Sequence, residues 1–340
     1  MSGASPAAAP PTAGSQTSVD VLVVALATTA GWRGAVPALM DALERAGARV
    51  AVASAAPVRP VRTFVLTDLL EARAARAAAR AGIAAHRPRA LIYASTTAAL
   101  LGPRPGAIWF DSPAVENRPG RHGVWQRPVE RRRVAHAPLL LPMSAGGLQA
   151  LGTGGRDRFP AVILPVPVEP SAAEPVVRDV AALAYAADAK KKGLAQILAA
   201  WAAARRPDET LLVAGQPAGP LCEGAEGTGL LAPQDYRALL RRARIFVAAP
   251  RHEDYGIAQL EALADGCRLV TTPGGGPYPA RDLARTLDPA LVSDDLAAAI
   301  RTALDAPADD YAARALELLA PYRRAAFEAT VQKHVLPALL

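Results

Sequence analysis

The stretch Ile245 to Gly276, reading IFVAAPRHEDYGIAQLEALADGCRLVTTPGGG, leaves few folds open. Its first residues, Ile245 to Ala249, are a short apolar run of strand length and character. A polar loop follows from Pro250 to Gly256. Ile257, Leu260, Leu263 and Ala264 then recur at helical spacing and give the next segment one apolar face. Gly266 stands where a helix-ending left-handed residue belongs. Leu269 to Thr271 resumes as a strand and runs into Gly274, Gly275 and Gly276. The whole is a β-loop-α-β unit with its polar chemistry in the loop and the first helical turns. In open parallel sheets ligands bind at the carboxyl ends of strands, against helix N-termini whose unpaired N–H groups favour anions.

Two carboxylates are placed for such a ligand. Glu253 lies in the loop and Glu261 in the helix, with seven residues between them. A phosphate would meet backbone N–H groups near Gly256, while the carboxylates accept hydrogen bonds from hydroxyl groups. A sugar on one side and a ribose on the other fit that description; an incidental acidic pair on a loop and helix is the plain alternative. The segment resembles the E-x7-E signature of the retaining, GT-B-fold family 4 glycosyltransferases. Glu253, Tyr255-Gly256, Leu260-Glu261-Ala262 and Asp265-Gly266 fall in register with it. The resemblance implies an α/β protein of GT-B architecture: two Rossmann-like domains facing a cleft, with a C-terminal helix crossing back to the first domain.

The rest of the chain fits that plan. Residues 1–17 read as an Ala/Pro/Ser-rich disordered tail with no basic or apolar leader pattern. Residues 18–168 are expected to form an acceptor-side domain. It opens with a strand at Val19 to Ala27, a turn at Gly31 and Gly34, a helix carrying Val36, Leu39 and Leu43, and a second strand from Val50. Glycines between a strand and its helix let a phosphate approach the backbone. The resemblance puts Gly31 and Gly34 at the donor, with Trp32 and Arg33 at the cleft. Strands are expected at Thr63 to Leu66, Ala90 to Ala94, Ala107 to Phe110 and Val162 to Val168, and an Ala/Arg-rich helix at Leu69 to Ala85 that packs closely through its alanines. VERRRVAH, within Val124 to His136, reads as a solvated helix face, and Ser144 as an N-cap.

Family members often carry a His near the end of the AIWF strand. Here Asp111 stands instead, with His122 further on, so either Asp111 takes the polar role or His122 swings in; a strand-end cap is the structural alternative for Asp111. Residues 169–177 form a proline-rich linker, 178–320 a nucleotide-sugar domain and 321–340 the crossing helix. Only 4 of the 38 basic residues are lysine, and Lys190, Lys191 and Lys192 are three of them. A flexible ammonium suits a phosphate as a point charge. Lys192-Gly193 matches half of the family's second phosphate-clamping element; the Arg that completes it is absent, with Ala186 and Ala187 in its place.

The resemblance thus implies transfer of a sugar from a nucleotide-sugar to an acceptor (a glycan, lipid or small molecule), with retention. It implies Glu253 and Asp111 as catalytic residues. Glu261, Lys191, Lys192, Gly256, Tyr255, Ile257, Gly31, Gly34 and Gly275 would bind the donor, with no metal and no further cofactor. The competing reading is a degenerate GT-B protein that binds a nucleotide or sugar, or serves as a partner subunit, without catalysis. The net charge of +7 favours anionic ligands or peripheral contact with an anionic membrane. Aromatics at 5% and no base-stacking motif argue against nucleic acid. Two cysteines with no pairing or metal pattern fit the cytoplasm.

Overall fold

The computed structural model describes residues 18–26, 30–59, 61, 63–152, 159–174, 176–276, 278–305 and 310–340, without the side chains of residues 30, 31, 33 and 64. The expected N-terminal tail lies outside them. The first domain alternates β1 (Val21–Ala25), α1 (Ala30–Arg45), β2 (Val50–Ser54), α2 (Phe64–His86), β3 (Ala90–Ala94), α3 (Thr96–Leu100), β4 (Ala107–Phe110), α4 (Ala114–Asn117), α5 (Gln126–Ala135), β5 (Leu140–Pro142) and α6 (Ala145–Gln149). Its five strands are parallel in the order β2-β1-β3-β4-β5. β1, β3, β4 and β5 are buried along their whole length, as their continuous apolar sequences require.

The second domain runs β6 (Val180–Tyr185), α7 (Leu194–Ala204), β7 (Leu211–Ala214), β8 (Gly219–Cys222), β9 (Ala225–Gly227), α8 (Pro233–Arg242), β10 (Ala243–Ala248), α9 (Ile257–Ala264), β11 (Arg268–Thr271), α10 (Pro279–Leu287) and α11 (Leu296–Asp305). Its sheet has the order β11-β10-β6-β7-β9-β8, parallel except for β8. The chain closes with α12 (Tyr311–Leu318), α13 (Arg324–Thr330), a π turn at Val331–Val335 and α14 (Leu336–Leu339). The expected break falls at Pro321, inside a 3-10 turn.

These last helices return to the first domain. Phe327 sits 6.2 Å from Trp109, and Trp32 meets Trp109 edge-on at 5.2 Å. One apolar core therefore runs from α1 and the inner face of the first sheet, through Phe327, into the second domain. A smaller core lies on the other face of the first sheet, under α2, α3 and α5. There Ala72, Ala75 and Ala79 are fully buried, and a Cβ on Gly82 would come within 2.9 Å of Leu22, so small residues do bring α2 down onto the sheet.

Two expectations need correction. Thr63 to Leu66 is not a strand: Thr63 is an N-cap whose hydroxyl accepts from Leu66 N, and helix replaces the β-branched run's apparent preference. Val162 to Val168 lies alongside β5 but makes only an isolated bridge at Ala161, because Pro165 and Pro167 have no N–H to donate. After β7 the chain forms the short hairpin β8–β9. No helix among the described residues is long and apolar enough to cross a membrane.

Candidate active site

At the carboxyl end of β10 the loop to α9 turns through Gly256 at φ 82°, a left-handed conformation that frees the first-turn N–H groups of α9. Gly193, at φ 68°, does the same ahead of α7. A Cβ on Gly193 would strike the Ala249 carbonyl, so only glycine lets the lysine loop lie against the end of β10. Arg251 N donates to Lys191 O at 2.9 Å and Glu253 N to Gly275 O at 2.7 Å. Gly275 is held at φ 85° under the Pro250 carbonyl. The lysine loop, the Glu253 loop and the glycine triplet are thereby knit into one surface.

Glu253 is 5% exposed. One of its oxygens accepts from Lys192 Nζ at 2.7 Å and from Gln259 Nε2 at 2.9 Å. The Lys192 ammonium also stands 5.9 Å from the centre of the Tyr185 ring. Gln259 is one residue that sequence reasoning missed; its signal was a lone amide among the apolar residues of α9. Its other amide atom, Oε1, is buried with no partner among the described residues. Lys191 Nζ reaches Asp254 Oδ2 at 2.5 Å, and His252 Nε2 lies 3.1 Å from the other oxygen. Burial alone would raise Asp254; the His252 hydrogen bond and the Lys191 charge outweigh it and hold the carboxyl at about 2. The Asp254 hydrogen bond conversely raises His252 above its ordinary value, against burial.

Asp111, at the end of β4, comes from the other domain to line the same recess as His252, Glu253 and Asp254. Ser112 N donates to its Oδ1 at 2.8 Å, and burial, reinforced by the Asp254 charge, pushes its carboxyl up to about 6. His122 is exposed in the turn Gly120–Gly123 and does not line the recess. Between the two residues left open by the sequence, the structure brings Asp111 to the Glu253 loop. Beneath it, Glu130 is no part of a solvated face: it is 5% exposed and accepts from Ala114 N at 2.9 and 3.1 Å. Burial raises it to about 7.

Glu261 lies apart from Glu253, on the flank of α9. It is partly exposed, 3.3 Å from Arg237 Nη1, and burial raises its carboxyl. Arg237 continues to Asp265 at 2.7 Å and to the Glu169 carbonyl at 2.7 Å. Ser171 N and Oγ donate to the same Asp265, tying the interdomain segment to the end of α9. Nothing in the sequence singled out Arg237.

Five residues are placed otherwise than expected. Tyr255 is 3% exposed, and its hydroxyl donates to Val166 O at 3.4 Å, so its side chain joins the domains instead of facing a ligand. Ile257 begins α9 half-buried against the main core. Gly31 and Gly34 belong to the first turns of α1, not to a loop before it; Gly34 is exposed with nothing near its absent Cβ. A first-turn residue such as Gly31 still has an N–H without an intrahelical partner. Trp32, expected at the cleft, packs on Trp109, and the Arg33 side chain lies outside the described residues.

Residues 178–306 match the family model described as Glycosyl transferases group 1. No curated protein matches the chain. Among solved structures, it superposes on sucrose-phosphate synthase from Thermosynechococcus elongatus with a TM-score of 0.66 at 15% identity, over 92% of this chain and 96% of that one. It superposes on the UDP-forming α,α-trehalose-phosphate synthase from Burkholderia xenovorans at 0.64 and 16%, over 93% and 99%. For WaaG, a glycosyltransferase of lipopolysaccharide biosynthesis, the values are 0.56 and 15%, over 88% and 98%. The fold is GT-B, and the resemblance read from the E-x7-E segment stands with the domain that carries it.

Proposed function

We propose, from a GT-B fold whose second domain matches the group 1 glycosyltransferases, that this cleft moves a sugar from a nucleotide-sugar donor to an acceptor, with retention at the anomeric carbon. The observation that carries the reading is that Asp111, Glu253 and Asp254 line one recess, with Lys192 paired to Glu253 and Lys191 to Asp254, beside the starts of α7 and α9. Glu253 would accept hydrogen bonds from the donor sugar, and Glu261 from the ribose. As the bond from anomeric carbon to phosphate breaks, negative charge grows on the departing diphosphate. Lys191, Lys192 and the free N–H groups at the starts of α7 and α9 supply preorganised positive charge for it, with no metal required. Asp111, raised to about 6, reaches in from the acceptor side. There it can act as a hydrogen-bond donor while protonated and as an acceptor once ionised. Acceptors of glycan, lipid or small-molecule class would enter from the first domain.

A second reading, a GT-B protein that binds nucleotide or sugar or serves as a partner subunit without transfer, draws on one feature. Both site lysines are already paired, Lys191 with Asp254 at 2.5 Å and Lys192 with Glu253 at 2.7 Å. Thermal unfolding with UDP, GDP, ADP and TDP separates the cases. One nucleotide should stabilise the wild type, by about 2.7 kcal/mol at a hundred times its Kd, and Glu261→Ala should lose that response. Turnover of the matching nucleotide-sugar supports transfer; stabilisation without turnover supports the second reading. Stabilisation by none of the four, in folded protein, removes the donor site and with it the transfer reading, and leaves the partner subunit.

A further inference from the structure

The positive charge of this chain is unevenly spread. Residues 1–168 hold 19 of the 38 basic and 9 of the 31 acidic residues, a surplus of +10, whereas residues 169–340 come to −3. Much of the surplus is uncompensated. Arg59, Arg73, Arg80, Arg121, Arg131 and Arg132 are exposed, and their guanidinium groups make no ion pair or hydrogen bond among the described residues. They lie on the layer of helices covering the smaller core or on the loops leading into it.

The same layer carries apolar side chains that folding has left in water. Leu66 and Leu70, one turn apart on α2, are 52% and 41% exposed, and Val124 is 65% exposed. Val61 joins them, its N–H donating to Thr67 Oγ1, while Trp125 Nε1 donates to Val65 O and holds Val124 beside the first turn of α2. Continuing along the exposed stripe of α2, the residues are Arg73, Ala77, Arg80 and Ala84. The acidic residues of α2 are turned away from it: Asp68 is buried under a two-point pair with Arg118, at 2.6 and 3.0 Å, and Glu71 is half-buried beside it. The outward stripe is therefore apolar at one end, basic along its length and free of carboxylates.

We propose that this face of the first domain docks on an anionic lipid bilayer surface, with Leu66, Leu70 and Val124 entering the headgroup boundary and the arginines meeting lipid phosphates. Charge complementarity selects an anionic partner, and the apolar cluster selects a bilayer over a soluble polyanion, which would leave the leucines in water. Docking of this kind is independent of which donor the cleft binds.

Co-sedimentation of the full chain with phosphatidylcholine vesicles, with and without phosphatidylglycerol, tests it. Binding is expected only to the anionic vesicles and should fall as salt rises from about 0.1 to about 0.5 M. Arg73→Gln/Arg80→Gln should weaken it about 25-fold, at roughly fivefold per arginine near the surface. Leu66→Ser/Leu70→Ser should weaken it by at least about tenfold. All four positions are exposed, so circular dichroism and melting should match wild type. Equal binding to neutral vesicles, binding to none, or an unchanged affinity in either folded double variant overturns the proposal. So does retention on heparin without vesicle binding, or self-association without vesicle binding that Leu66→Ser/Leu70→Ser abolishes.

Discussion

The ion pair between Lys192 and Glu253 makes the sharpest demand on stability. The two groups are 2.7 Å apart, with side chains 18% and 6% exposed, and the same Glu253 oxygen keeps only Gln259 Nε2 as a second donor. Lys192→Met removes the ammonium at little change in length and leaves a buried carboxylate with one amide. Breaking a buried pair from one side costs about 3–5 kcal/mol when both groups are fully enclosed. The residual exposure of Lys192 places this case near the lower limit, at about 3 kcal/mol. Removing both charges should restore most of that, so Lys192→Met/Glu253→Gln should lose only about 1 kcal/mol. Urea unfolding of the four proteins in a double-mutant cycle at neutral pH gives the coupling directly. A single-variant loss under about 0.5 kcal/mol, or a double variant no better than the single, would refute the reasoning that Glu253 depends on Lys192 for its burial.

Two further perturbations follow from the same site. Asp111 is raised from 3.8 to about 6 by burial and by Asp254, so the folded state holds its proton longer than the unfolded chain, and its contribution to stability declines as pH rises from about 4 to about 6. Asp111→Asn should match wild type near pH 4 and exceed it by about 1–2 kcal/mol above pH 6.5 in chemical unfolding; equal curves at both ends would dismiss the burial. Gly193→Ala should lose about 2–3 kcal/mol, combining left-handed strain with the Ala249 carbonyl clash, whereas Gly34→Ala, on an open turn of α1, should gain up to about 1 kcal/mol. Similar melting changes in the two variants would show that the backbone fit at Gly193 is not what joins the lysine loop to β10.

The sequence made the second domain's central unit readable because each signal there has a single physical source. An apolar run, a glycine with positive φ and a helical repeat fall in the order β10, Gly256, α9, and the structure agrees to within two residues. Where two local preferences competed, the reading failed. Thr63 to Leu66 carries the β-branched content of a strand, yet the Thr63 hydroxyl caps a helix that tertiary packing on Leu22 and Ala53 then extends. VERRRVAH reads as solvated from its charge, but a long-range contact with Ala114 N draws Glu130 inward while Arg131 and Arg132 stay out. Gln259, Arg237 and Asp254 were missed for a related reason: each acts through a partner distant in sequence or across a turn, and spacing along one chain does not report it.

The division of labour between the two kinds of cation connects fold to site. Arginine does the fastening: Arg118 on Asp68, Arg301 on Glu209, Arg49 on Asp20 and Arg242 on Asp179 each reach both carboxylate oxygens. A planar guanidinium engaged at two points resists exchange, which suits a joint between elements. Lys191 and Lys192 stand instead at the cleft, each joined to its carboxylate by a single ammonium contact. An ammonium on a four-carbon stem can swing from a carboxylate to a phosphate without giving up a second bond. In a chain with 34 arginines and 4 lysines, two lysines at this place are what a site needs if its charges must change partners when an anionic ligand arrives. Asp254 and Glu253 then serve as internal counter-ions, keeping the two partly buried ammoniums paired until a ligand replaces them.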